Sequence, residues 1–175
     1  MATEPPGIDD RQAAAAPTGI RVRPATLADV EAISALTTAL AERHIVGDCS
    51  AEGSARLIAA MQPGPTRERL ASGHRTWVAE VEAGPGPAAL VGVACVRLPA
   101  HLYHLFVADH VQRRGVARAL LEAVVAGIAD QPDGALTLNA SRVGVPAYAR
   151  MGFIPTGAEC TAFGIPSTPM QLLRR

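Results

Sequence analysis

The feature that most constrains the fold is a strand, a polar turn and an apolar helix in direct succession. His101–Val107 reads as a strand, and Asp109–Gly115 as a polar, basic turn. Val116, Leu120, Val124 and Ile128 then recur every fourth residue and form the buried stripe of a long helix. Pro132-Asp133-Gly134 closes that helix. The first turn of such a helix carries N–H groups without intrahelical partners and the positive end of the helix dipole. Those donors suit a phosphate. Gly115 and Ala117 have little or no side chain, so a diphosphate can approach the backbone. Arg113, Arg114 and Arg118 add positive charge nearby.

The remaining segments supply a sheet for this unit. Ile20–Arg23 alternates apolar and basic residues and reads as a strand ended by Pro24. Thr26 with Asp29 forms a capping box in its acid form, ahead of an amphipathic helix through Leu27, Val30, Ile33, Leu36 and Leu40. Ser50 caps a second helix with the stripe Leu57, Ile58, Met61, which Pro63-Gly64-Pro65 breaks. Thr66–Ser72 forms no more than a short helical turn. Thr76–Val81 and Leu90–Leu98 are strands joined through the turn cluster Gly84-Pro85-Gly86-Pro87. After the long helix come a short strand, Ala135–Asn139, and a short helix, Val143–Met151, with Pro146 in its first turn and Gly152 at its end. Phe153–Phe163 and Ser167–Leu173 are the final two strands. The order β-α-α-β-β-β-α-β-α-β-β predicts a mixed, mostly antiparallel α/β sheet and not a doubly wound one.

Composition excludes several chemistries. The length of 175 residues suits one domain, placed over residues 20–175. The Ala-, Pro- and acid-rich residues 1–19 read as a disordered tail. All 16 basic residues are Arg, so a Walker A lysine and a Schiff-base lysine are both absent. Cys49, Cys95 and Cys160 are far apart, with no zinc spacing, which predicts reduced thiols and no metal. The formal net charge is zero and only 3% of residues are aromatic, which argues against a nucleic-acid partner. No apolar run long enough to span a membrane is present, and the N-terminus lacks the pattern of a signal peptide. The expected compartment is the cytoplasm.

Gln112-Arg113-Arg114-Gly115-Val116-Ala117 resembles the Gln/Arg-x-x-Gly-x-Gly/Ala signature of the GNAT (GCN5-related) N-acetyltransferases, with Ala117 as the tolerated alternative to glycine. Val145-Pro146-Ala147-Tyr148-Ala149-Arg150-Met151-Gly152-Phe153 is similar to the family's Pro-Phe-Tyr-x-x-x-Gly-Phe segment. Here Ala147 replaces a bulkier aromatic. Ile20-Arg21-Val22-Arg23-Pro24-Ala25-Thr26 with Asp29, and Leu138-Asn139-Ala140-Ser141, also resemble bacterial members. The likeness spans residues 20–173. It implies the GNAT fold, a mixed sheet of about six or seven strands flanked by about four helices.

The resemblance further implies direct transfer of an acetyl group from acetyl-CoA to a primary amine, on a small molecule or a peptide, without a metal. Phe106, Val107, Gln112, Arg113, Arg114, Gly115, Val116, Ala117, Arg118, Asn139 and Tyr148 are then the cofactor-binding residues. Val107 N–H is the expected oxyanion donor, and pantetheine lies between splayed fourth and fifth strands. Tyr148 matches the tyrosine that protonates the departing thiolate, a role its phenol suits because it keeps its proton at neutral pH. His101 occupies a position where some members carry a catalytic base, with ordered water as the alternative. Strand alternation puts His101, Tyr103, Leu105 and Val107 on one face, and Leu102, His104 and Phe106 on the other. Glu42, Asp48, Glu52 and Glu159 are the carboxylates available to hold a cationic acceptor. Phe163, Ile165 and Met170 on the final strands suggest a homodimer edge. A non-catalytic acyl-CoA-binding module is the alternative; it would keep the phosphate turn without needing Tyr148 or a base.

Overall fold

A computed structural model describes residues 19–82, 88–132 and 134–173. The expected tail, except Gly19, and the turn at Gly84–Pro87 lie outside the described residues. The elements are β1 (Ile20–Pro24), α1 (Val30–His44), α2 (Ala51–Ala60), α3 (Pro63–Ala71), β2 (Arg75–Val81), β3 (Ala89–Arg97), β4 (His101–Val107), α4 (Val116–Gly127), β5 (Ala135–Ala140), α5 (Val145–Arg150), β6 (Ile154–Pro155), β7 (Cys160–Ala162) and β8 (Ile165–Leu173). Short 3-10 turns precede α1, α2 and α4.

The sheet order is β1-β2-β3-β4-β5-β8-β6, with β7 paired to β8. Every pairing is antiparallel except β4 with β5. One apolar layer joins the sheet to α4. Val116, Leu120, Val124 and Ile128 are all buried there with Ala94, Val96, Leu136 and Leu138, as the four-residue spacing predicts. A smaller layer of Ile33, Val78 and Val93 lies toward α1. The start of α4 approaches the sheet closely at Gly92, where a Cβ would lie 2.9 Å from Leu120 Cδ1 and 3.2 Å from Val116 Cγ1. A glycine is therefore required for the start of α4 to sit against the strand next to Val107.

Two elements differ from expectation. Pro63-Gly64-Pro65 does not merely break α2; it opens α3, because proline in a first turn gives up an N–H that has no partner there anyway. Phe153–Phe163 is not one strand but the two short strands β6 and β7, so the sheet has eight strands and the chain five α-helices among the described residues. Leu27 stands in a 3-10 turn and is 59% exposed, outside the α1 stripe that Val30, Ile33 and Leu40 bury.

The capping box at the entrance to α1 is present. Asp29 Oδ2 accepts from Thr26 N–H at 2.7 Å and from its hydroxyl at 3.0 Å. Arg23 adds a fork onto both Asp29 oxygens, at 2.8 and 2.7 Å, and also bonds Glu80 of β2. These bonds, Arg23 first, hold the Asp29 carboxyl down at about 2. A carboxylate depressed in the folded state contributes stability that is complete above its unfolded value, near ~4, and drains away as pH falls through the folded one. Asp29→Asn is thus expected to cost ~2 kcal/mol or less at pH 7 and to flatten the loss of stability between about pH 4 and pH 2. Urea unfolding at neutral and acid pH measures both effects.

Candidate active site

The site is built on a gap in the sheet. β4 and β5 run parallel but pair only at His101↔Thr137. Beyond that point they part, and a cleft of about 940 Å³ opens between them. On the other side of β4, Ala108 N–H donates to Val91 O at 2.8 Å. Antiparallel ladders alternate, so with Phe106 opposite Val93 and Val107 opposite Gly92, the N–H groups of Leu105 and Val107 point away from β3, into the gap. The Val107 N–H therefore faces the gap.

The start of α4 closes one end of the cleft. Gly115 is its N-cap, with φ +87, and Arg113 also adopts positive φ, +61. Such alternation turns successive N–H groups toward one concavity, an anion nest. A Cβ on Gly115 would meet nothing within 4 Å, so the space above this backbone is open. Gln112, Arg113, Gly115, Val116, Ala117 and Arg118 all line the cleft, whereas Arg114 is exposed and does not. Gln112 is a brace as well as a lining residue: its amide donates to Val107 O and Asp109 Oδ1, each at 3.1 Å. Asp109 is further tied to Arg43 and His44 at the end of α1. Those contacts, Arg43 first, hold its carboxyl below the usual range and offset its charge beside the nest.

Tyr148 and Asn139 border the gap from the α5 and β5 side. The Tyr148 ring meets Phe153 edge-on at 5.5 Å, and burial pushes the phenol well above its ordinary value. It holds its proton throughout the neutral range. Asn139 lines the cleft, its side-chain amide makes no hydrogen bond with any described residue, and the N-cap of α5 is Gly144. Phe106 also lines the cleft and packs toward Ile33, Val78 and Val93.

The face assignment along β4 is corrected by a bulge. Cys95 pairs with His104 but Val96 pairs with Leu102, so Tyr103 is an extra residue. Leu102, Leu105 and Val107 pack toward α4. Tyr103, His104 and Phe106 gather on the opposite side, with ring centroids 4.5 and 5.4 Å apart. His101 lies on that side too, through Thr137, which alternates with Leu136 and Leu138 of the α4 layer. His101 is thus grouped with His104 and not with Leu105 and Val107. Strict alternation missed this because nothing in His101–Val107 marks a bulge.

His101 lines the cleft. Its Nδ1 is 2.9 Å from Thr137 Oγ1, which in turn reaches Ala100 O at 3.4 Å. That chain assigns Nδ1 as donor and leaves the lone pair on Nε2. Burial first, then Arg97, lowers the imidazole below its ordinary value. His104 is buried and pushed down to about 3, chiefly by that burial, so it is a neutral packing group.

The carboxylates expected to hold the acceptor are elsewhere. Asp48 and Glu159 pair with Arg142, Glu52 pairs with Arg56, and neither these nor Glu42 line the cleft. The cysteines lie outside it as well, and burial raises the thiols of Cys49 and Cys95. Among the described residues no cluster of His, Cys, Asp or Glu is arranged to hold a metal ion, and no helix is long and apolar enough to cross a membrane.

A mixed sheet split at its one parallel pair, with an anion nest at the split, defines the N-acetyltransferase class of fold. The chain belongs to the GNAT acetyltransferase domain family, whose model matches residues 45–174. It is similar to a GCN5-related N-acetyltransferase from Rhodopseudomonas palustris, at 22% identity and TM-score 0.73 over 90% of this chain and 97% of that one. It is also similar to the PaiA N-acetyltransferase of Thermoplasma acidophilum in complex with coenzyme A, at 15% identity and TM-score 0.71 over 90% and 100% of the two chains. A third likeness is to YncA, a putative acetyltransferase from Salmonella typhimurium with acetyl-CoA, at 22% identity and TM-score 0.60 over 89% and 94%. No curated protein matches the chain.

Proposed function

We propose that this protein is an N-acetyltransferase that takes the acetyl group from acetyl-CoA and gives it to a primary amine, both bound together in the β4/β5 cleft. The observation that carries the reading is the coincidence of the nest at Arg113–Gly115, the inward N–H groups of Leu105 and Val107, and the protonated phenol of Tyr148 in one cavity. Acetyl-CoA supplies an activated thioester. The backbone N–H groups of the α4 start, with Arg113 and Arg118, suit its pyrophosphate. Asn139 has free amide groups for the pantetheine arm. The Val107 N–H is positioned for the oxygen on which charge develops. His101, neutral at pH 7, holds a lone pair for the proton that the amine must lose, directly or through water. Tyr148 holds the proton that a thiolate needs on departure.

None of the cysteines borders the cleft, which favours direct transfer over an acetyl-cysteine route. We place the domain at residues 20–175, in the cytoplasm. Of the three side chains expected at a dimer edge, Met170 is in the core, while Ile165 and the exposed Phe163 both line the cleft and the Arg56 guanidinium lies 4.5 Å from the Phe163 ring centroid.

Calorimetric titration with acetyl-CoA tests the reading. We expect one site per chain with a dissociation constant in the micromolar range, about −8 kcal/mol. Absence of binding would withdraw both the cofactor and the activity.

A further inference from the structure

Basic groups without acidic neighbours line the cleft. Arg97, Arg113, Arg118 and Arg150 line it, and among the described residues no Asp or Glu does. Arg113 and Arg118 belong to the nest. Arg97 does not: it ends β3, directly opposite His101 at the far end of β4. It is exposed, and its guanidinium has no ion pair or hydrogen bond with any described residue. Burial and then the Arg97 charge lower His101, and burial, Arg69 and then Arg97 lower His74. Behind Tyr103 stands a second guanidinium, Arg69, 5.5 Å from the ring centroid, whose side-chain partner is the neutral Thr66 hydroxyl at 3.0 Å. The carboxylates that would welcome a cation, Asp48, Glu52 and Glu159, are bound to Arg142 and Arg56.

A purely cationic acceptor would enter this field with nothing to offset its charge. An amine that carries its own oxyanion would supply the missing counter-charge, since guanidinium groups favour carboxylate and phosphate through paired N–H donors. Resting on the acetyltransferase reading above, we infer that the acceptor is a primary amine bearing a carboxylate or phosphate group, and that Arg97 selects it. Polyamines and polycationic antibiotics are disfavoured by the same arrangement.

The test uses four amines that share one carbon chain: 4-aminobutyrate, 4-aminobutyl phosphate, 4-aminobutanol and 1,4-diaminobutane. Each is titrated calorimetrically into the protein saturated with coenzyme A. At least one of the two anionic amines is expected to bind about tenfold tighter than the alcohol, with the diamine weakest. The tighter of the two anions identifies the group recognised. Arg97→Gln is expected to cut the anion-over-alcohol ratio about tenfold without moving the melting temperature, and Arg97→Lys to restore part of it. A diamine that binds as well as the anions, or a ratio that Arg97→Gln leaves unchanged, would overturn the inference while leaving the acetyltransferase reading intact. Failure of coenzyme A itself to bind would take both readings down, and the same titration reports it separately.

Discussion

Gly115→Glu is expected to weaken acetyl-CoA binding at least a hundredfold, the largest effect on affinity of any single change in the site. Two costs combine. Gly115 has φ +87, a conformation that costs a side-chain-bearing residue about 1–2 kcal/mol, so the nest distorts. The open space above its Cα, where a Cβ meets nothing within 4 Å, is the space the pyrophosphate would use. A carboxylate projecting there also opposes the phosphate charge that the N-terminal dipole and Arg118 favour. Together these amount to about 3 kcal/mol or more, which is about two decades in affinity. Gly115→Asn separates the causes, because asparagine accepts the left-handed conformation and carries no charge. It is expected to bind within about tenfold of wild type and to melt close to it. A glutamate variant that is folded and binds at wild-type affinity would move the pyrophosphate away from the start of α4.

The site was legible where chemistry follows backbone position. Gln112–Ala117 lies between a strand and an apolar helix, and that order alone puts N–H groups, a glycine and arginines in one place. The buried stripe of α4 followed from its spacing, and Tyr148 from the segment ending at Gly152-Phe153. What local pattern could not supply was anything set by pairing between distant residues. The bulge at Tyr103 exists only relative to β3, and it turns His101 and His104 to the same side. The role of Gln112 as a brace depends on Val107 O and on an Asp109 already held by α1. Asp48 looked available because its partner, Arg142, lies 94 positions away in the chain. Nothing in the strand pattern Leu90–Leu98 singles out Arg97, since its importance comes from what the rest of the cleft lacks.

Tyr148→Phe removes one oxygen and is expected to lower kcat about a hundredfold, at the lower end of what a positioned general acid contributes. The acetyl-CoA dissociation constant should move by no more than about twofold. The aromatic contact with Phe153 survives in the variant, and burial, not a hydrogen bond, accounts for the raised phenol. Stability should therefore change little. The pH profile gives an independent readout. Tyr148 stays protonated well beyond neutrality, so it sets no limb below the alkaline range. His101 is lowered from the usual imidazole value, so activity should rise through a point below about pH 6.5 and then level off. That acid limb belongs to the amine's proton acceptor and must remain in Tyr148→Phe even as the plateau falls. A variant with an unchanged plateau would make Tyr148 an anchor for α5 and leave departure of the thiolate to solvent. A wild type that binds acetyl-CoA but acetylates none of the amines would instead be a cofactor-binding module, for which the hydroxyl of Tyr148 and the lone pair of His101 have no use.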